Sequence, residues 1–207
     1  MIRTPRWALI SAAVGPLLLM GGWTLAATQQ PHGYNPVRDT ISSLAARGAT
    51  DRWIMTLALA GLGACYIITA FGLRAAGGTG RAVLVVGGLA TLLVAAFPQP
   101  ALGNSVPHTY AAGIAFGSLA IWSVLAARRG TSDPLLTYAA SLTATVIMIA
   151  LVLWFVAEIH GGHRGLAERF AAGTEALWPL AVVVASRRFT EHPYPRPPRE
   201  IVGFSPD

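Results

Sequence analysis

The chain has 207 residues, 54% of them hydrophobic and only 12% charged, against roughly 25% charged in soluble domains. So few charges exclude an ordinary water-facing surface, and the hydrophobic residues run in long blocks, as lipid exposure requires. The net charge of +6 does not indicate nucleic acid, because the arginines sit in short loops between apolar blocks and form no basic face.

Six apolar blocks follow in chain order: Trp7 to Thr28, Trp53 to Leu73, Ala82 to Phe97, Thr109 to Ala127, Leu135 to Ala157 and Phe170 to Ser186. Most approach the ~20 residues a helix needs to cross a hydrocarbon core. The first, flanked by Arg3 and Arg6, is too long for a signal-peptide core and is read as an uncleaved helix. The third is short; it stops at Pro98 and Pro100, and its start is expected earlier, among the glycines at 77 to 80. In the first long connection, Ile41, Leu44 and Ala45 have helical spacing. They predict a short amphipathic helix within Asp39 to Arg47, lying on the membrane surface and capped by Asp39 or Thr40. The expected fold is therefore an all-α integral membrane protein, a bundle of six transmembrane helices with a short interfacial helix in the first outer loop. Residues 1–188 form its single domain, and 189–207 a Pro-rich, disordered cytoplasmic tail.

Ten arginines fall on the side of the termini and five on the other, so the positive-inside rule places both termini in the cytoplasm of a cell-membrane protein. Gly113 and Gly117 form a G-x-x-x-G pair, read either as packing within the bundle or as the seam of a homodimer. Gly61, Gly63, Gly87 and Gly88 would let neighbouring helices approach closely. Cys65, the single cysteine, lies within an apolar block and is read as a packing residue.

Polar chemistry gathers on the outer side. Glu175 is the only charged residue inside any block. It precedes Arg187 by twelve positions, or ~18 Å of helix, which places it within the hydrocarbon layer. A carboxylate there is costly unless paired, protonated or hydrated, so it points either to function or to a structural pair with an arginine such as Arg38. Glu168, seven residues earlier, extends the same helical face outward. Glu158, His160 and His163 carry zinc-type donors, with His108 as a further ligand, but Gly161 and Gly162 break the helical geometry such a site needs; a solvated loop is the simpler reading, and no metal or cofactor is expected. Ser42 and Ser43 with Asp39 and His108 would supply the parts of a nucleophilic triad, although serine and aspartate at a helix start more often serve as caps. Trp23, Tyr34, Trp53, Tyr110, Trp154 and Trp178 read either as an interfacial belt or as an aromatic pocket around a cationic intermediate.

The stretch Tyr34-Asn35-Pro36-Val37-Arg38-Asp39-Thr40-Ile41-Ser42-Ser43-Leu44, followed by Trp53, resembles the family catalogued as domain of unknown function 998. His108, the run Gly165-Leu166-Ala167-Glu168-Arg169, and a last helix carrying Glu175 and Trp178 are similar to it too. The resemblance extends from about Trp7 to Arg188 and implies a bacterial or archaeal multipass membrane protein. It also adds weight to Arg38, Asp39, Ser42, His108, Glu168, Arg169 and Glu175 as a shared outward constellation.

Three functional readings follow. In the first, an outward-facing site acts on a lipid or isoprenoid-like substrate by general acid chemistry, such as acid-initiated prenyl cyclisation or lipid-ester hydrolysis or transfer. Glu175 is the acid, Asp39 or Glu168 the second carboxylate, and His108 a proton relay. Arg38 and Arg169 hold charge, and Ser42, Trp178 and Tyr34 contact the substrate. In the second, a non-catalytic structural or assembly subunit binds a partner's membrane helix or a lipid through its small residues. A channel or transporter is the third, with one intramembrane charge and little room for a broken-helix site. Convergence of Asp39, His108, Glu168 and Glu175 around one cavity favours the first; their placement in separate loops counts against it.

Overall fold

The computed structural model describes residues 4–31 and 33–191, and among these the regular structure is entirely helical. Six long helices and one short turn of helix follow the apolar blocks: α1 (Arg6–Thr28), α2 (Ile41–Leu44), α3 (Trp53–Gly72), α4 (Gly78–Ala96), α5 (Val106–Ala126), α6 (Tyr138–Ala157) and α7 (Arg164–Glu191), with a 3₁₀ turn at Pro134–Leu136 before α6. Five of these, α1, α3, α4, α5 and α6, are long and apolar enough to cross a membrane. The chain is a multipass membrane protein. The sixth block lies in α7, whose length exceeds that of the others but which carries Glu168, Arg169 and Glu175.

Helix ends follow local chemistry. The side chains of Thr40, Ser105 and Thr137 accept from backbone N–H groups in the first turns of α2, α5 and α6, satisfying donors that have no partner within the helix. Of the two caps expected for the short helix, Thr40 is the one formed. The third block does begin among the glycines, at Gly78, and α4 ends before Pro98, which has no N–H to offer. At the far end α7 runs through Glu191, so residues 189–191 belong to it and not to the expected tail. Residues 192–207 lie outside the described residues, as does His32.

The long helices pack in sequence order, α1 on α3, α3 on α4, α4 on α5, α5 on α6 and α6 on α7, and α7 closes the ring against α1. A direct contact between α5 and α7 leaves α6 outside the inner cluster. Close approach is set by small residues: a Cβ on Gly63 would lie 2.7 Å from the carbonyl oxygen of Gly88, and one on Gly88 equally near that of Gly63, so α3 and α4 meet backbone to backbone. Hydroxyls tie other pairs. Ser11 and Thr69 share a buried hydrogen bond of 2.8 Å between α1 and α3, and Trp178 Nε1 donates to Ser123 Oγ at 2.9 Å between α7 and α5.

Candidate functional site

The segment expected to form a surface helix folds differently. Only Ile41–Leu44 is helical, and Ile41 and Leu44 are buried, at 3% and 0% exposure. Their apolar face turns into the end of the bundle, where Ile41 and Leu44 join the main core with residues of α1, α3 and α5.

What holds this turn in place is the start of α7. Glu168, 4% exposed, accepts from the Ile41 backbone N–H and from Ser42 Oγ at 3.1 Å, so a carboxylate sits at the N-terminus of α2, where exposed N–H groups favour negative charge. Arg169 donates to the carbonyls of Pro36 at 2.7 Å and Asp39 at 2.9 Å, and to the Tyr34 hydroxyl at 2.5 Å. Leu166 N–H donates to Val37 O, and Arg164 to Arg38 O, both at 2.9 Å. Gly165 makes the approach possible: a Cβ there would lie 2.7 Å from Pro36 O and closer still to Asp39 O. The Tyr34 phenol is raised above its ordinary pKa by burial, which outweighs the opposing effect of the Arg169 guanidinium.

Beneath this turn lies a cavity of about 60 Å³, lined mostly by apolar side chains of α1, α3, α4 and α5. Its polar lining comes from four elements: Ser42 on α2, Tyr66 on α3, Thr91 on α4, and Glu168 and Glu175 on α7. Glu175 is 1% exposed, and its Oε1 has no hydrogen-bond partner among the described residues. No arginine pairs with it there, Arg38 included.

The other predicted residues sit elsewhere. Asp39 accepts from Asn35 N–H at 2.7 Å and faces Arg38 and Arg164 in the loop between α1 and α2 and at the start of α7. Arg38 is exposed and donates to Gly33 O. His108 is buried at the start of α5, its Nδ1 2.9 Å from Phe97 O, and is not among the residues lining the cavity. Trp178 faces Ser123, and Tyr34 faces Arg169. The cavity thus brings together Glu168, Glu175 and Ser42, while Asp39, His108, Arg38, Arg169, Tyr34 and Trp178 serve other contacts. Glu158 accepts from the His163 backbone N–H at 3.0 Å, His160 is exposed, and no cluster of three metal-type ligands occurs among the described residues.

The two motif segments, 34 to 44 and 165 to 169, are therefore one interlocked unit. A family model described as protein of unknown function (DUF998) matches residues 13–185. The chain belongs to the DUF998 family. Neither a curated protein nor a solved structure matches it.

In this DUF998 chain the aromatic faces at the cavity are Tyr66 and Phe116, neither among the aromatics singled out in the sequence. Both lie inside apolar blocks at ordinary core spacing. The one available signal was a phenol in a membrane helix, since a buried tyrosine hydroxyl usually seeks a partner.

Proposed function

We propose that the chain is a six-crossing membrane protein with both termini in the cytoplasm, whose outer half holds a lipid or isoprenoid-like molecule against Glu175 and performs general acid chemistry on it. The observation that carries this reading is Glu175 itself, a buried side chain with an unpartnered oxygen, lining an apolar cavity covered by one turn of helix. Six crossings are supported by the pairing of α7 with α1. Leu166 bonds to Val37 just beyond one end of α1, and Arg187 donates to Thr4 O at 2.7 Å beyond the other. The 28 residues of α7 extend ~42 Å, more than a hydrocarbon core requires.

A general acid donates from its neutral form, so the reaction uses Glu175 protonated. With an isoprenoid chain, the proton of Glu175 passes to one alkene carbon and the positive charge develops on the other, leaving a glutamate anion. Attack by a second alkene of the same chain closes a ring, and loss of a proton back to Glu175 restores the acid and a neutral product. Tyr66 and Phe116 line the cavity, and aromatic rings favour such a cation. At about 60 Å³ the cavity is smaller than the ~300 Å³ at which ligand pockets begin, so admission requires the α2 turn to lift. Glu168 and Ser42 are then positioning residues that close the site.

The test uses geranylgeraniol as the probe, with the full chain in detergent and products identified by mass spectrometry. Wild type should bind the alcohol and convert it to isomers of unchanged mass. Glu175→Gln should lose about a hundredfold or more of the rate, and Ala115→Trp, which fills the cavity, should lose binding. Undiminished conversion by Glu175→Gln, or no binding by wild type, would sink the proposal. One observation favours the alternative of a non-catalytic assembly subunit or a homodimer. Gly113 and Gly117 are exposed, and a Cβ on either would meet nothing within 4 Å, so this notch on α5 faces away from the bundle and suits a partner helix. Loss of a cross-linked dimer in Gly113→Leu would support it.

A further inference from the structure

At the end of the bundle opposite α2, a second concavity lies between the last turn of α5 and the first residue of α6. It is a half-open groove of about 480 Å³ lined by Val124, Ala127, Arg128, Arg129 and Tyr138, within the ~300–1,000 Å³ range of small-ligand sites. From it we infer a binding site for the phosphate of an anionic phospholipid, with the acyl chains descending along α5 and α6. This inference does not rest on the reading of Glu175.

The charge balance of this region carries the argument. Both guanidiniums are exposed, and neither has a carboxylate partner among the described residues. The acid closest in sequence, Asp133, is buried and committed: one oxygen accepts from Leu135 N–H and the other from Ser186 Oγ. Arg81, also at this end, is spent on the carbonyls of Ala70 and Phe71 at the end of α3. Arg128 is anchored by its backbone N–H to Leu136 O at 2.9 Å, and its side chain makes only a long 3.4 Å contact with Ala75 O. Gly130 follows with φ of 68°, a left-handed conformation open to glycine that turns the chain away after the second arginine.

Two arginines lining one concavity carry planar forks of the kind that match phosphate oxygens. The Tyr138 phenol, 65% exposed, supplies a further donor at the rim. Val124 and Ala127 floor the groove with apolar surface, and the spanning helices below supply the surface a lipid's chains need. Free phosphate would use the arginines alone. A phospholipid uses both the charge and the apolar floor, in the way that basic pockets between membrane helices take anionic head groups.

Native mass spectrometry of the full chain would measure retention of dioleoylphosphatidylglycerol against dioleoylphosphatidylethanolamine. Wild type should prefer the anionic lipid by about 30-fold, the effect of two arginines near a membrane surface. Arg128→Gln/Arg129→Gln should abolish the preference while Arg128→Lys/Arg129→Lys keeps part of it, and an unchanged thermal melt would show that the charge and not the fold was lost. Equal retention of the two lipids by wild type, or a preference that survives the glutamine pair, would overturn the inference. Displacement of the bound lipid by millimolar inorganic phosphate would overturn the lipid as the occupant.

Discussion

Glu175 and Glu168, which line the cavity, stood out in the sequence because a carboxylate in or beside an apolar block is conspicuous whatever surrounds it. Tyr66, Phe116 and Thr91 were not, since in a membrane helix such residues are equally at home facing lipid, a neighbour or a cavity. Arg169 shows the converse: expected to hold substrate charge, it instead binds backbone carbonyls and the Tyr34 hydroxyl. Burial of Tyr34, which outweighs the opposing Arg169 guanidinium, sets a pH dependence. The folded chain keeps the Tyr34 proton to higher pH than a free phenol does. Its contribution to stability is therefore complete below the ordinary value of ~10 and is lost as pH rises through the raised folded value. Thermal melts in detergent from pH 8 to 11 should fall at the alkaline end, and Tyr34→Phe should flatten that fall. A Tyr34→Phe profile identical to wild type would remove Tyr34 as the cause.

At the level of elements, the five apolar helices were legible to within a few residues, because block length and proline breaks act locally. The short helix was legible in its cap and its spacing but not in its place. Ile41 and Leu44 present one apolar stripe, and lipid and a bundle interior both accept such a stripe. The contacts from Glu168, Arg169 and Leu166 on α7 decided between them. Because the Gly165 contact is with backbone, it has little room to yield. Gly165→Ala should destabilise the protein by about 1–3 kcal/mol, read as a lowered melting temperature, with faster protease cleavage between Tyr34 and Arg47 as the α2 turn loosens. A melting temperature equal to wild type would show that the interlock is not tight.

For the whole molecule, the ring of helices closed by α7 against α1 gives a testable topology. In a Cys65→Ala background, Asn104→Cys and Ser132→Cys stand in exposed loops at opposite ends of the bundle. A membrane-impermeant maleimide should label Asn104→Cys in intact cells and Ser132→Cys only after permeabilisation; the reverse result would invert the proposed orientation. What sequence alone determined was the solvent and the elements: a charge-poor chain in blocks of about twenty residues has lipid as its surroundings and helices as its only open-ended way to satisfy backbone groups there. Which side chains share a space was decided by tertiary structure alone. Side chains far apart in sequence meet through helix order and rotation, and those depend on glycine contacts and polar ties between helices that no single segment encodes. The constellation read from the sequence accordingly divided into an interlock that holds the α2 turn and a cavity where Glu175 stands beneath it.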